Sequence, residues 1–202
     1  MGALVALIGV DGAGKTTLAQ AVCAKFIEHG DRAMSMKVFD YLLWQKPLAW
    51  IRRCAQGKAG TARHPFLTRG QKRWPLHWWP MMASVDHRMY DARIIKPLLR
   101  RYRMIISDRY FYDFAASFSY YGYGTPGLIE WYVRSIPRPA HVMVLTLPPE
   151  IAFARAQELS LDYFESQCQW YERLAQRYGF RLIDTNRRTE EVRDEIFDCV
   201  RA

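Results

Sequence analysis

One stretch near the start constrains this chain more than the rest of it. A continuous apolar run, Leu4–Ile8, leads straight into Gly9-Val10-Asp11-Gly12-Ala13-Gly14-Lys15-Thr16, which satisfies G-x-x-x-x-G-K-[ST]. By average residue frequencies such a match arises by chance in roughly 1% of chains this long. The context matches too. Five apolar residues read as a central parallel strand buried on both faces. After the loop, Leu18, Val22 and Phe26 recur at helical spacing over Thr16–His29, and Gly30 stands where a helix stop belongs. A strand, a glycine-rich loop and a helix in that order form a phosphate-binding device. The glycines let backbone N–H groups turn inward on phosphate oxygens, and the helix start adds partial positive charge.

The loop therefore predicts nucleotide binding through Asp11, Gly12, Ala13, Gly14, Lys15, Thr16 and Thr17. Lys15 would reach the β- and γ-phosphates and the Thr16 hydroxyl would ligate Mg²⁺. The glycine spacing does not fit the dinucleotide pattern G-x-G-x-x-G. Alone, the loop leaves GTPases, motor ATPases and kinases open.

Further strands are expected over Ala33–Phe39, Met104–Ser107, His141–Leu147 and Arg181–Asp184, with a long helix over Met81 to Arg100 before the third strand. Phe164, Cys168, Tyr171, Ala175 and Tyr178 form one helical stripe. Val192, Ile196 and Val200 form another, with Thr189 as the expected N-cap. Strands alternating with helices predict an α/β domain, a three-layer P-loop NTPase fold with a five-stranded parallel sheet and helices on both faces. A single domain over residues 1–202 is expected, with an insert or lid at about 41–80. Between Asp40 and Asp86 there is no acidic residue, while Lys46, Arg52, Arg53, Lys58, Arg63, Arg69, Lys72 and Arg73 are basic. Trp44, Trp50, Trp74, Trp78 and Trp79 also fall there.

Asp108 follows the third apolar run, which places a carboxylate at the C-terminal edge of the sheet beside the phosphate loop. There it could hold Mg²⁺ or its water, and Arg109 could meet a phosphate. No N-K-x-D guanine signature follows, which disfavours a GTPase. The four cysteines are widely spaced without C-x-x-C, and the five histidines lack metal-ligand spacing, so the metal is expected to arrive with the substrate.

These residues together resemble the thymidylate kinase family over nearly the whole chain. The loop reads G-V-D-G-A-G-K-T-T, with Asp11 where the family favours an acid. Asp108-Arg109-Tyr110 resembles its D-R-Y/H motif. Arg88, twenty residues earlier on a helix, is similar to its acceptor-phosphate arginine. Pro148-Pro149-Glu150 with Arg155 resembles its lid start, and Asp184-Thr185 its loop near adenine. The resemblance implies ATP and Mg²⁺ as cofactors and Arg88, Arg109 and Tyr110 as acceptor-binding residues. It implies Lys15, Asp108 and Arg155 as catalytic residues, Thr16 and Asp108 at the metal, and a homodimer. A divergent branch is marked by Val38-Phe39-Asp40-Tyr41-Leu42-Leu43 in place of the family's arginine-proline element. Gln157-Glu158-Leu159 after Arg155, and Glu165 and Gln169 before Tyr171, mark it too. That branch resembles thymidylate-kinase-like proteins found with bacterial surface-polysaccharide machinery.

The expected function is an ATP-dependent phosphotransferase acting on a nucleoside monophosphate, dTMP favoured. The alternatives are a sugar or lipid-linked glycan acceptor, or a non-catalytic ATP-binding module. A net charge of +9 favours an anionic partner without choosing one. Tryptophans among basic residues in the 44–79 segment admit peripheral membrane contact. They also admit nucleic acid, but that leaves the phosphate loop unexplained, so a small-molecule phosphate acceptor is expected and nucleic acid is not. No run approaches the ~18 apolar residues of a membrane span. Met1–Val10 is too short and lacks the basic lead of a signal peptide, and a cytoplasmic location is expected.

Overall fold

The computed structural model describes residues 2–38, 42–43, 78–156 and 160–201. Most of the basic, Trp-rich insert, Phe39–Tyr41 and Gln157–Leu159 lie outside the described residues, as does the expectation of membrane contact through 44–79.

Five strands form one sheet: β1 (Ala3–Gly9), β2 (Ala33–Lys37), β3 (Met104–Asp108), β4 (His141–Thr146) and β5 (Arg181–Asp184). All pairs are parallel, in the order β2-β3-β1-β4-β5. The expected sheet is therefore present with every strand in place. β1 lies at its centre, and Val5 to Ile8 are fully buried, which is why its sequence is apolar without alternation. The second strand stops at Lys37, short of the expected Phe39. Val38 N–H still donates to the Asp108 carbonyl at 3.1 Å.

Helix α1 (Lys15–Glu28) packs on β2 and β3 and against α8 (Thr189–Arg201). Thr189 is the first residue of α8 rather than its cap, a shift of one position. On the other side of the sheet, α4 (Phe111–Tyr121) and α7 (Leu161–Tyr178) meet β1, with α5 (Pro126–Ser135) behind them. The expected long helix is α2 (Trp79–Tyr90), running through a π-helical stretch, Asp91–Ile95, into the short α3 (Lys96–Leu99). Its widening has a cause in the sequence. Pro97 has no N–H to offer the Arg93 carbonyl, and Lys96 N–H reaches back five residues to Asp91 O.

Helices α4 and α5 had no expectation from the sequence. Eight of the eleven residues of α4 are buried, so it carries apolar side chains nearly all round and shows no amphipathic stripe. Behind it lies a buried polar network. Tyr132 Oη donates to Phe111 O at 2.9 Å, so the 2.7 Å contact with His87 Nδ1 has the imidazole as donor. The His87 ring also stacks on Phe111 at 4.2 Å, and burial pushes its pKa down to about 3.

The connection after β1 runs to α1 and then β2. The one after β3 runs to α4 on the opposite face. Adjacent strands whose connections diverge open a crevice at their carboxyl ends, the usual ligand position in such sheets. Here that crevice lies between the phosphate loop and Asp108-Arg109. Among the described residues no helix is long and apolar enough to cross a membrane.

Candidate active site

The phosphate loop leaves β1 at Gly9, whose φ of 141° would be strained in any other residue. A Cβ there would stand 2.4 Å from Leu145 O on the neighbouring strand. Gly12, at φ 86°, brings the loop against α6 (Pro149–Ala156). An added Cβ would meet Ala152 O at 3.0 Å and Arg155 Cβ at 3.3 Å. Gly14 is the N-cap of α1, in the left-handed region, and offers no side-chain cap; the first turn holds no acid. The opening N–H groups of α1 thus have neither intrahelical partner nor internal carboxylate, the arrangement that receives an anion.

Three charged side chains converge on the loop. Lys15 is buried, and its Nζ donates to Gly9 O at 2.8 Å, Val10 O at 2.6 Å and Asp11 Oδ1 at 3.3 Å. The same Asp11 oxygen accepts from Arg109 Nη2, so one carboxylate bridges both cations. Burial alone would raise the Asp11 pKa; Lys15 and Arg109 outweigh it and hold the carboxyl below its ordinary value. For Lys15, burial and the facing Arg109 lower the pKa against the pull of Asp11. An ammonium so placed is dehydrated and preorganised, which strengthens its action on phosphate oxygens.

Arg109 has φ 71°, the only non-glycine residue with positive φ among the described residues. Its N–H donates to Leu7 O at 3.0 Å and its carbonyl accepts from Ser107 Oγ, which hold the unusual backbone in place. Strain of this kind is found where a side chain must be aimed.

Asp108 closes the other side. Its Oδ2 accepts from Thr16 Oγ1 at 2.7 Å, while its Oδ1 is buried with no hydrogen-bond partner. A hydroxyl and an orphaned carboxylate oxygen at the end of a phosphate loop are the oxygen donors that Mg²⁺ takes when it arrives with a nucleotide. Among the described residues no group of three or more His, Cys, Asp or Glu side chains gathers into a metal site. Thr16 and Asp108 fit the metal as two donors, with phosphate and water completing the set.

The structure also brings Arg155 to the loop, where its Nη1 donates to Gly12 O at 3.3 Å. Ala13 is buried under the turn, and Thr17 lies exposed on α1. Two expected residues are not brought together with these. Arg88 is exposed on α2. Tyr110 is buried, and its hydroxyl donates to Pro137 O at 2.7 Å, which anchors the start of α4. Asp184 and Thr185 follow β5, with Asp184 Oδ1 accepting from Asn186 N–H at 2.8 Å and Thr185 Oγ1 donating to Thr146 O at 2.9 Å.

Beside the loop lies a cavity of about 210 Å³ between Asp11, Arg109 and residues the sequence reading passed over: Lys37, Asp113, Ser117, Tyr163 and Gln167, with Tyr171. Asp113 is wholly enclosed. Its Oδ2 accepts the Tyr110 N–H at 2.7 Å and its Oδ1 the Tyr171 hydroxyl at 2.5 Å, tying α4 to α7. Burial raises its pKa against the opposing Arg109 and Lys15 charges. Tyr163, Gln167 and Tyr171 stand at four-residue spacing along α7 and are buried, whereas Glu165 and Gln169 are exposed. That Tyr-x₃-Gln-x₃-Tyr interval is the signal that could have found them. Asp86 was also missed. It is buried on α2, two residues before Arg88, and accepts from the N–H groups of Leu42 and Leu43, both at 2.6 Å.

The sheet order, the phosphate loop and the paired Thr16 and Asp108 define a P-loop phosphotransferase. Its relatives make the assignment narrower. The chain is 33% identical to the thymidylate kinase of Methylobacillus flagellatus over 60% of its own length and 66% of that protein's. It is 26% identical to the thymidylate kinase of Pseudomonas putida, across 96% of this chain and 93% of the relative. The probable thymidylate kinase of Thermococcus gammatolerans is 25% identical, across 99% and 96% respectively. No family model matches the chain. The chain belongs to the thymidylate-kinase-like family, with relatives in bacteria and archaea.

Proposed function

We propose that this protein transfers the γ-phosphoryl group of ATP to a nucleoside monophosphate, with dTMP as the favoured acceptor. The observation that carries the reading is the bridge Lys15–Asp11–Arg109, which sets a cation for the donor and a cation for the acceptor on either side of one carboxylate. The names of the relatives favour a nucleotide acceptor over a glycan and over a non-catalytic module.

In this reading the N–H groups of residues 11–17 and the start of α1 receive the ATP phosphates. Lys15 exchanges the Gly9 and Val10 carbonyls for β- and γ-oxygens. Arg109 holds the acceptor phosphate, and Arg88, exposed on α2, joins it only when the acceptor is bound. An acceptor phosphate oxygen supplies its lone pair to the γ-phosphorus, and the bond to the bridging oxygen breaks to leave ADP. The attacking oxygen is already ionised, so no general base is required. Charge spreads over the three equatorial oxygens as the group transfers, and Lys15 with Arg155 lowers its energy. Thr16 and Asp108 would hold Mg²⁺, which would supply further charge neutralisation at the phosphates.

The test is ADP release from ATP·Mg²⁺ against a panel of deoxynucleoside monophosphates, ribonucleoside monophosphates and sugars. Turnover with dTMP above the others is expected. ATP binding without turnover on any nucleoside monophosphate would overturn the acceptor assignment.

A further inference from the structure

The sheet edge opposite the phosphate loop carries a second concavity. Gly2, residues 30–32 before β2 and residues 99–103 before β3 border an open concavity of about 640 Å³, within the range of small-molecule sites. Four arginines line it, Arg32, Arg100, Arg101 and Arg103, against a single acid, Asp31. That acid is engaged by Arg103 at 3.3 Å and by Arg201 at 3.7 Å. Arg32, Arg100 and Arg101 are exposed and form no ion pair with any described residue.

Arginines that follow a helix often serve its last carbonyls. Here backbone donors already do so. Arg100 N–H donates to Pro97 O at 3.3 Å, Arg101 and Tyr102 N–H both to Leu98 O at 2.9 Å, and Gly2 N–H to Leu99 O at 2.9 Å. Arg103 and Met104 N–H both donate to Arg32 O, at 2.8 and 3.2 Å. The backbone bearing the arginines is thus fixed, while three guanidinium groups have no acceptor among the described residues. Clustered like charges repel, and an anion relieves that repulsion.

We propose that this concavity is a second, separate binding site for a soluble oligophosphate, a ligand class that includes the triphosphate chain of a nucleotide. Planar guanidinium forks match phosphate oxygens two at a time. Three of them around a hollow suit a compact chain of phosphates. A lipid surface or a nucleic-acid duplex would ask for a flat face or a stripe. β1 and β3 begin at this site and end at the phosphate loop, so roughly 20 Å of strand separates the two, and one ligand cannot occupy both.

Inorganic tripolyphosphate is the probe, titrated calorimetrically into the full chain. Two equivalents are expected to bind, one displaced by ADP and one not. In the double variant Arg100→Ser/Arg101→Ser the second equivalent should weaken at least about tenfold, as lost charge-assisted contacts require, while the ADP-displaceable one stays. Arg32→Ser, made separately, should have the same effect. A single equivalent in the unmodified chain, or two undiminished equivalents in these variants, would overturn the proposal. So would co-sedimentation with phosphatidylglycerol vesicles in the absence of ADP-resistant tripolyphosphate binding, which would assign the arginines to a lipid surface.

Discussion

Thr16 Oγ1 and Asp108 Oδ2 lie 2.7 Å apart although 92 positions separate them in the chain. The contact follows from strand register: Leu7 of β1 stands opposite Asp108 of β3, so the loop that leaves one strand meets the end of the other. The second carboxylate oxygen, buried and unpartnered, marks where a further ligand belongs.

Asp108→Asn keeps the shape of this pair and removes its charge. The half-saturating Mg²⁺ concentration for ADP release should rise about 10–100-fold, the usual loss when a group supporting a metal is altered. An unchanged magnesium titration would remove Asp108 from the metal site.

Lys15→Ala takes away the buried ammonium that the loop carbonyls hold in readiness. Phosphoryl transfer should fall about 10²-fold or more, as when one preorganised charge-stabilising donor is lost. Single-turnover measurement separates this from weaker ATP binding. Near wild-type turnover would sink the mechanism.

Tyr171→Phe deletes the hydroxyl that serves Asp113 Oδ1 and leaves that oxygen buried without its donor. Stability should drop by about 1–3 kcal/mol. Urea unfolding with an unchanged m-value is the check; a shift below about 0.5 kcal/mol would mean the pair is not a structural tie between α4 and α7.

His87 couples the fold to pH. Its pKa is about 3 in the folded chain and 6.5 for the free group, so the unfolded chain binds the extra proton between those values. Stability from this group is full above pH 6.5 and is lost as pH falls toward 3, at about 1.4 kcal/mol per pH unit. Between pH 7.5 and 5.5 His87→Gln should therefore lose about 1.4 kcal/mol less than the unmodified chain. Equal losses in both proteins would show that His87 does not carry the dependence.

Legibility in the sequence followed burial and spacing. The inner strands β1, β3 and β4 were readable because a parallel sheet covered on both faces demands apolar runs, and all five strands, the more exposed β2 and β5 included, were found within two residues at either end. The loop was readable because only glycines fit its backbone. Arg109 could be placed beside a phosphate, but nothing local foretold that Asp11 would bridge it to Lys15, since that pairing depends on register between β1 and β3. Helix α4 stayed hidden because its burial erased the periodic contrast that reveals a helix. Asp113 was hidden inside it, a lone acid in an apolar stretch whose partner Tyr171 comes 58 positions later. Tyr110 shows the converse. A motif position drew attention to it, and its hydroxyl is spent on the Pro137 carbonyl.

The central place of β1 has a consequence for biosynthesis. Ala3 pairs with Met104 and Val5 with His141, so the first strand made waits for partners translated long afterwards. Until then a ribosome-bound chain displays an apolar segment with both rows of backbone groups open, and contacts this distant in sequence are slow to form. Such a segment is open to off-pathway pairing during synthesis, and the phosphate loop has no complete sheet beneath it until the fourth strand has emerged and docked.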